Sequence, residues 1–363
     1  MSSSSPEQPI ELPCGVRIRN RIALAPLTNL QSHSDGTLSD EECRWLVRRG
    51  EGGFGLVSTC AAYVSDEGKA WDGQLGIATD AHERSAVRLA DALRGTGATS
   101  IVQLYHGGDK ATLAPDLKLS TADRDGVRGA SKEDLERVIA DFVAAARRAE
   151  RAGFGGVEIH GANGYLFTQF LAPKDNPRTD EYGGDIAGRA RFLRETLRAV
   201  RASTDRSFAV GVRISPVDVW AERGIELDDG VQVSQWLAED GADFVHLSLS
   251  EAWGPPPFEA GRPSVARAVR DALPGHVPLL VAGGIATRAD AERATEAGVD
   301  VLVLGRAGIA HPEWPTVSLD SDWSPLQAPW PVEALERAEV SPAFVAYLKR
   351  FPGLVEGGAP ARD

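Results

Sequence analysis

The sequence predicts an α/β fold, namely a (β/α)8 TIM barrel with an N-terminal hairpin and a C-terminal extension. Short apolar runs recur along the chain, and each is followed by a polar loop and a helical stretch. Strands that are apolar on both faces and alternate with helices indicate a parallel sheet covered by helices. The pattern repeats eight times with no partial unit left over, and the first strand lacks a GxGxxG turn. These observations favour a closed barrel over a doubly wound open sheet.

The barrel elements are predicted from runs of Val, Leu, Ile and Ala and from the spacing between them. The predicted strands are 21–26, 54–58, 99–104, 156–159, 208–214, 243–248, 277–281 and 300–304. The predicted helices lie near 39–50, 81–95, 131–152, 188–203, 227–240, 262–273 and 287–297. Two of these helices start with a capping box, formed by Ser131 with Asp134 and by Thr287 with Asp290.

The remaining segments lie at the two ends of the chain. Residues 1–10 are predicted as a disordered arm, and 11–22 as a small hairpin because polar and apolar residues alternate there. The barrel occupies 22–311. The segment 312–363 is interpreted as wrapping or interface material that ends in a helix at 341–351. Barrels of this length commonly form one unit, so 1–363 is predicted to be a single domain.

The composition argues against several classes of function. A net charge of −13 repels phosphate backbones and anionic lipid, so neither nucleic acid nor a membrane surface is an expected partner. The cysteines, Cys14, Cys43 and Cys60, are widely spaced and support neither a disulfide framework nor a metal site. The N-terminus lacks a signal-peptide pattern, and no run of about eighteen apolar residues occurs. A cytoplasmic protein without a bound metal is expected.

Polar residues cluster where the fourth predicted strand ends. His160 follows the apolar run 156–159, and Asn163 and Tyr165 come within the next five residues. In a strand, Glu158 and His160 point to the same face, which suggests the mouth of the barrel lumen. Active sites of TIM barrels lie at the carboxyl ends of the strands. The candidate catalytic residues are therefore His160, Asn163 and Tyr165.

The last two strands carry a candidate phosphate site. Gly283 and Gly284 follow the seventh strand, and Gly305 and Arg306 follow the eighth. Glycines let backbone N–H groups approach a phosphate, and arginine can bind it with two hydrogen bonds. The alternative is a pair of helix-capping turns with a surface arginine. The occurrence of both pairs after adjacent strands favours a phosphate.

Three other rim residues suggest which molecule carries that phosphate. Gln103 can donate to and accept from a pyrimidine edge, and Arg213 would stabilise an anionic reduced isoalloxazine ring. Thr28 could donate to the same ring. For Arg213 the alternative is a salt bridge at the barrel bottom. Its place at the end of a strand, two residues after Gly211, favours the top because Gly211 leaves room inside.

Six motifs resemble the old yellow enzyme family and follow one another along residues 20–315. They are APLTN at 25–29, QLYHGG at 103–108, EIHGANGYLFTQFLAP at 158–173, NPRTDEYGG at 176–184, VRISP at 212–216 and GRAGIAHPEWP at 305–315. The third and fourth are the most specific. The resemblance implies a TIM barrel that binds FMN tightly but not covalently. It also implies reduction of activated C=C bonds with NADPH or NADH in a ping-pong cycle.

The resemblance also implies roles for the candidate residues. His160 and Asn163 match the pair that hydrogen-bonds a substrate carbonyl, and Tyr165 matches the proton donor. The residues that match flavin-ring contacts are Pro26, Thr28, Ala61, Gln103 and Arg213. The residues that match the phosphate site are Gly284, Gly305 and Arg306. The expected partner is a small-molecule activated alkene, and both a monomer and a homodimer stay open.

The sequence departs from the family pattern at three places. Cys60 stands where many relatives have Glu, and Thr28 stands where one bacterial branch has a redox-tuning Cys. The segment 107–130 is short and carries GGDK in place of the common G-R pattern, which leaves the substrate range open. The iron–sulfur branch is excluded, because it needs clustered cysteines and a second domain.

Other interpretations of the same residues stay open. The flavin could serve a dehydrogenase, a demethylase or an oxidase, or the barrel could bind a flavin without catalysis. Glu158 and His160 could form half of a metal site, but no third ligand with suitable spacing follows. A flavin-free aldolase is remote, because Lys110 and Lys174 do not lie at strand ends. Residues interpreted as scaffolding are His246 in the core and Arg178, Asp180 and Tyr182 in the long loop.

Overall fold

The chain forms the parallel barrel that its sequence predicts. The computed structural model describes residues 5–113, 115–218, 224–257, 261–320 and 322–360. The strands in these ranges are β1 Ile10–Glu11, β2 Arg17–Ile18, β3 Ile22–Leu24, β4 Leu56–Tyr63, β5 Thr99–Tyr105, β6 Leu119–Ser120, β7 Arg128–Gly129, β8 Gly156–Gly161, β9 Ala209–Ile214, β10 Phe244–Ser248, β11 Leu279–Ala282 and β12 Val301–Leu304. Eight of them close in the order β3-β4-β5-β8-β9-β10-β11-β12, and β12 pairs with β3.

Helices alternate with the barrel strands and cover them. In the described ranges they are α1 Asp40–Glu51, α2 Asp80–Thr96, α3 Lys132–Arg151, α4 Leu166–Leu171, α5 Ile186–Ser203, α6 Leu227–Glu239, α7 Val265–Ala272, α8 Arg288–Glu296, α9 Arg306–Ala310, α10 Trp314–Val317, α11 Val332–Arg337 and α12 Pro342–Leu348. The predicted helices correspond to α1–α3 and α5–α8, and both predicted capping boxes are present. Within the same ranges, no helix combines the length and the apolar character that a bilayer crossing requires.

Strand β4 is longer than predicted because it contains a bulge. The predicted strand ended at Ser58, where polar residues interrupt the apolar run, but β4 continues to Tyr63. Its register with β5 shifts between Ser58 and Ala61, which is the mark of an extra residue in the strand. As a result Ala61 lies inside the strand opposite Gln103, and not just past the strand end as predicted.

The lower part of the barrel lumen is filled by apolar side chains. This layer includes Leu56, Ile101, Phe244, Leu280 and Val301, which are all buried. Gly211 belongs here, because a Cβ at this position would lie 2.1 Å from the ring of Phe244. The space that the sequence assigned to an opening beside Gly211 is therefore taken by that ring. The polar residues of the lumen lie above this layer.

The N-terminal segment covers the bottom of the barrel, below the apolar layer of the lumen. Strands β1 and β2 pair in an antiparallel hairpin, with Ile10 opposite Ile18. The predicted disordered arm differs from the structure over residues 5–10, since the Pro6 carbonyl accepts from the Arg21 N–H and Ile10 belongs to β1. Ile10 also packs against the apolar layer at the bottom of the lumen, which fixes this part of the chain. Residues 1–4 lie outside the described residues.

The C-terminal extension, interpreted from the sequence as wrapping or interface material, also lines a cavity at the top of the barrel. Leu326, Trp330 and Leu354 line the same cavity as the glycines that follow β11 and β12. The predicted final helix at 341–351 is α12, Pro342–Leu348. No periodic pattern in the sequence predicts this wall of the cavity, because single residues face the cavity from irregular loops.

The long loop after α4 is held by the residues assigned to that task. Arg178 Nε donates to Asp180 Oδ1 at 3.0 Å, and the same oxygen accepts from the Tyr182 N–H at 3.1 Å. Arg178 Nη1 also donates to the Ala130 carbonyl at 2.6 Å. The loop is thus fastened to the segment that precedes α3.

Arg49 in α1 is fully buried and ties the extension to the barrel. Its guanidinium donates to the carbonyls of Gly308 at 3.1 Å, Ile309 at 2.7 Å and Ala338 at 2.7 Å. These carbonyls belong to α9 and to the end of α11. One side chain therefore satisfies backbone groups of segments that are distant in sequence.

Replacing Arg49 with Met should lower the free energy of unfolding by about 2–3 kcal/mol, because buried carbonyls lose their donors. Denaturant midpoints of the two proteins measure the difference. Arg48→Met is the matched control, since Arg48 makes a partly exposed ion pair with Glu313 at 3.1 Å. Such pairs contribute about 0–1 kcal/mol, so equal losses in the two variants would contradict this account of Arg49.

Candidate active site

The polar residues of the lumen lie in two levels that the strand register defines. In the lower level, Gln103 of β5 pairs with Ala61 of β4 and with Glu158 of β8. In the upper level, His160 of β8 pairs with Arg213 of β9, which pairs with His246 of β10. All of the polar residues in the two levels are buried. The register therefore brings together residues that the sequence placed only at separate strand ends.

Glu158 is the charged centre of the lower level. Its carboxylate accepts from Gln103 Nε2 at 2.6 Å and lies 2.7 Å from His246 Nδ1. Burial raises the pKa of Glu158, but His246, Arg213 and Gln103 outweigh burial and leave the pKa below its usual value. Burial lowers the pKa of His246 despite the carboxylate beside it. A neutral His246 therefore donates to an ionised Glu158, which fits its assignment as scaffolding.

This arrangement fixes the orientation of the Gln103 amide. An ionised carboxylate only accepts hydrogen bonds, so Gln103 turns its NH2 group toward Glu158. The Gln103 oxygen is then left to accept from a ligand. In the described residues, no group of three or more His, Cys, Asp or Glu side chains is placed so that it could hold a metal ion.

His160 is a neutral donor of defined tautomer. Its Nδ1 accepts from the Ala162 N–H at 3.2 Å, so the ring proton is on Nε2. Burial lowers the pKa of His160 well below its usual value, and the charges of Arg213 and Lys110 act in the same direction. The imidazole is therefore uncharged at neutral pH and presents Nε2–H as a hydrogen-bond donor.

Asn163 has a backbone conformation that its neighbours maintain. Its φ is 63°, in the left-handed region that non-glycine residues seldom occupy. The Asn163 N–H donates to Ser215 Oγ at 3.0 Å, and its carbonyl accepts from Lys110 Nζ at 3.2 Å. Its side-chain Oδ1 accepts from Ser248 Oγ at 3.0 Å. The amide NH2 group is thus the part of Asn163 left for a ligand.

Tyr165 lies between the strand end and helix α4 and faces other aromatic rings. Its ring centroid is 5.2 Å from that of His160 and 4.6 Å from that of Tyr105. Burial and the neighbouring Tyr347 raise the pKa of Tyr165, and Tyr105 and Arg213 partly oppose them. The phenol stays protonated at neutral pH, so it can donate a proton only in a step that generates a strong base nearby.

The predicted phosphate residues line one cavity of about 620 Å³, within the range typical of ligand sites. Its lining includes Gly283, Gly284, Gly305, Arg306 and Arg213. Gly284 has φ 68°, and a Cβ at Gly283 would lie 2.9 Å from the Ala252 nitrogen. Beside Gly305, by contrast, there is open space out to a Leu27 carbon at 4.0 Å. Glycine is therefore required by the backbone at Gly283 and Gly284, whereas Gly305 faces open space.

The first barrel strand delivers the two remaining predicted residues. Pro26 is buried and Thr28 is half-buried, in the loop that follows β3. The Thr28 hydroxyl lies beside Tyr347 of α12: burial raises the pKa of Tyr347, and a hydrogen bond with Thr28 opposes part of that effect. Tyr347 thus belongs to the rim.

Sequence reasoning missed three residues of the rim. Lys110 was considered only as an aldolase lysine, yet its Nζ lies 5.2 Å from the centroid of Tyr165. Its position in the loop that follows β5 is the available signal. Tyr347 and Ser248 carry no local signal, because Tyr347 belongs to a distant helix and Ser248 is simply the last residue of the apolar strand β10.

The donor set fits an anionic ring system with a phosphate tail. Arg213 Nε is buried without a hydrogen-bond partner among the described residues, although arginine seldom leaves a buried donor unpaired. The glycines that follow β11 and β12, together with Arg306, provide groups for a phosphate at the other end of the same cavity. Gln103, whose oxygen is left to accept from a ligand, lies in the level below.

Comparisons with known proteins agree with these features. The chain matches the model of the NADH:flavin oxidoreductase / NADH oxidase family over residues 8–318. It is 35% identical over 327 residues to NADH:fumarate oxidoreductase of Klebsiella pneumoniae, covering 85% of this chain and 35% of that protein. It is 33% identical over 321 residues to the probable NADH-dependent flavin oxidoreductase YqiG of Bacillus subtilis, covering 85% and 86% of the two chains.

A solved structure shows the same architecture. The old yellow enzyme homologue from Zymomonas mobilis superposes with a TM-score of 0.77 at 25% identity, covering 88% of this chain and 94% of that chain. The chain spans about a third of the length of NADH:fumarate oxidoreductase but most of YqiG. By the family match, the identities and the shared barrel, the chain belongs to the NADH:flavin oxidoreductase / NADH oxidase family, as an oxidoreductase of the old yellow enzyme type.

Proposed function

We propose that the chain is an FMN-dependent NAD(P)H oxidoreductase that reduces the C=C bond of α,β-unsaturated carbonyl compounds. The observation that carries the proposal is the tautomer of His160, because Nδ1 accepts a backbone N–H and leaves Nε2–H to donate. The Asn163 amide NH2 is the second donor near this point, and the Tyr165 ring lies 5.2 Å from His160. The two neutral donors can bind a substrate carbonyl whose oxygen gains negative charge during the reaction. The protonated phenol of Tyr165 can then supply the proton that the reduced substrate needs.

FMN would be held at both of its ends. The glycines Gly283, Gly284 and Gly305, together with Arg306, would bind the phosphate, and the unpaired Arg213 Nε would donate to the ring. The Gln103 oxygen would accept from the pyrimidine edge. Pro26 and Thr28, in the loop after β3, and Ala61, within β4, would contact the ring. When bound, FMN would take electrons from NAD(P)H and pass them to the alkene.

The chain's own residues would then prepare and complete the reduction. His160 and Asn163 would bind the substrate carbonyl oxygen, whose negative charge grows as the Cβ atom is reduced. Losing one such donor typically costs about 3 kcal/mol in the transition state. Tyr165 would protonate Cα, and general acid catalysis of this kind contributes roughly 10²–10⁴-fold. Nicotinamide would bind to the same donor pair before the alkene does, which gives a ping-pong cycle.

The substrate class follows from the neutral donors and from the names of relatives. NADH:fumarate oxidoreductase and NADH:acrylate oxidoreductase of Vibrio harveyi are named for conjugated carboxylic acids. Enones and conjugated acids share the carbonyl oxygen that two donors can bind. We therefore propose a small activated alkene as the substrate. We place the reaction in the cytoplasm, in keeping with three unpaired cysteines.

The test is an anaerobic titration of the purified protein. We expect a yellow protein whose flavin absorbance is bleached by NADPH or NADH and restored by an enone but not by the matching saturated ketone. Restoration by the saturated ketone alone, or by neither compound, would contradict the proposed reduction. A colourless protein that takes up no FMN would contradict the cofactor itself.

Arg306→Ala should weaken FMN binding about 10-fold, the effect of losing roughly one charge-assisted hydrogen bond to the phosphate. Riboflavin, which lacks the phosphate, should bind both proteins equally. Arg44→Ala is the control, because Arg44 lies on the outer face of α1 in an exposed ion pair with Glu41. Fluorescence titration of the apoprotein measures both ligands, and equal losses for FMN and riboflavin would exclude a phosphate contact.

A second candidate function follows from the length of the relatives. The chain corresponds to about a third of NADH:fumarate oxidoreductase, so it could oxidise NADH and pass electrons to an acceptor held elsewhere. In that case the flavin would be bleached by NADH and reoxidised by an artificial dye but by no alkene. The same titration separates the two candidates.

A further inference from the structure

Ser248 joins the two halves of the proposed site. It is the last residue of β10 and is half-buried. Its Oγ accepts from Arg213 Nη2 at 3.0 Å and lies 3.0 Å from Asn163 Oδ1. Arg213 lines the cavity where the flavin ring is proposed to bind. Asn163 and His160 are the proposed pair of donors to the substrate carbonyl. The Ser248 hydroxyl therefore contacts one residue of the proposed flavin site and one residue of the proposed donor pair.

The direction of these hydrogen bonds is fixed by what each group can do. Arginine has donors only, so the Ser248 oxygen must accept from Arg213. The hydroxyl proton is then available to Asn163 Oδ1, and it has no other acceptor among its contacts in the described residues. If the Asn163 amide were reversed, the hydroxyl would accept twice and its own proton would stay unpaired. The chain of donors therefore runs from Arg213 through Ser248 to Asn163.

The other contacts of Asn163 hold its backbone but leave its amide free to turn. Ser215 accepts the Asn163 N–H, and Lys110 donates to the Asn163 carbonyl. Neither contact distinguishes the two ends of the side-chain amide. Only Ser248 does so among the described residues, because its proton selects the oxygen.

We propose that Ser248 is a positioning residue that keeps the NH2 group of Asn163 directed at the substrate oxygen. This inference rests on the proposed function and deepens it. The charge of Arg213 at the start of the chain polarises the Ser248 hydroxyl, which strengthens its hydrogen bond to the amide and makes the NH2 group a better donor. Without the hydroxyl, the amide can present its oxygen to the ligand, and a carbonyl or phenolate then meets an acceptor.

The test uses the FMN-loaded protein and phenol binding. A para-substituted phenol bound over an oxidised flavin gives a new absorbance band, so its dissociation constant is measured without turnover. We expect Ser248→Ala to weaken phenol binding about 5- to 10-fold, the loss of roughly one oriented hydrogen bond. Ser248→Thr retains the hydroxyl and should bind phenol as the wild type does. Ser234→Ala is the control, because Ser234 Oγ bonds within α6 to the Gly230 carbonyl.

A double-mutant cycle shows whether the effect passes through Asn163. Ser248→Ala should have no further effect on phenol binding in an Asn163→Ala background. An unchanged dissociation constant in Ser248→Ala overturns the inference, and so does an equal loss in both backgrounds. Failure of Ser248→Thr to restore binding also overturns it. A wild-type protein that binds FMN but no phenol would instead overturn the proposed function, and this inference with it.

Discussion

Tyr165→Phe is expected to slow reoxidation of the flavin by an enone by roughly 10²–10⁴-fold, the usual contribution of a positioned general acid. Reduction of the flavin by NADPH should stay nearly intact. The reason is that only the alkene half of the cycle needs a proton at Cα, whereas the nicotinamide half needs no phenol. Burial raises the pKa of Tyr165, so the group arrives at this step with its proton.

Stopped-flow absorbance of the two half-reactions, each measured separately, tests this expectation. Tyr182→Phe is the matched control, since the Tyr182 hydroxyl donates to Glu195 at 3.0 Å in the long loop and serves no reactant. Equal slowing of both half-reactions in Tyr165→Phe would refute the role of proton donor. It would indicate that the hydroxyl binds ligands of both kinds.

His160→Ala is expected to slow both half-reactions and to weaken phenol binding. Loss of one donor to a developing oxyanion costs about 3 kcal/mol, or roughly 10²–10³-fold in rate. Both half-reactions are affected because nicotinamide and the alkene are proposed to use the same donor pair. The contrast with Tyr165→Phe is therefore in the pattern across the two steps as well as in the size of the effect.

His160 is fully buried, so its removal also leaves a cavity. His160→Asn keeps a donor in this position and should recover part of the phenol affinity that His160→Ala loses. His276→Ala is the control for the loss of an imidazole, because His276 is exposed and lies on the opposite side of the barrel. Unchanged phenol affinity in His160→Ala would count against the assignment of this residue.

The barrel could be predicted because its signals are local. Each helix such as Lys132–Arg151 shows one apolar stripe and a capping box, and strands such as Ala209–Ile214 are apolar on both faces. The predicted strand boundaries are wrong where the alternation of residues along a strand is interrupted. Strand β4 continues past Ser58 through a bulge, and a bulge shifts the alternation that a sequence pattern needs.

The residues at the strand ends could be predicted as a group, but their connections could not. Glu158 meets His246 and Asn163 meets Ser248 only because β8 and β10 lie on either side of β9 in the barrel, which brings side chains 88 and 85 residues apart into contact. The direction of each hydrogen bond depends on the third partner, such as Arg213 beside Ser248. No short stretch of the sequence contains all the members of either network.

Behind the loop that carries Thr28, a buried carboxyl comes from an element that the sequence did not connect with the site. Asn29 Nδ2 donates to Glu42 Oε1 of α1 at 3.0 Å. Burial raises the pKa of Glu42, and also that of the adjacent Cys60 thiol, which Glu42 raises further. Cys60 therefore has a carboxyl beside it that is supplied by a helix and not by its own strand.

The two ends of the polypeptide differ in what they can tolerate. A fusion partner attached before the hairpin would lie at the barrel end that β1 and β2 cover, away from the proposed flavin site, and should leave flavin binding unaffected. The last segment forms a wall of the cavity through Leu326, Trp330 and Leu354. A protease cut or a bulky tag that displaced this wall would leave all eight barrel strands intact and is still expected to weaken binding of the proposed flavin.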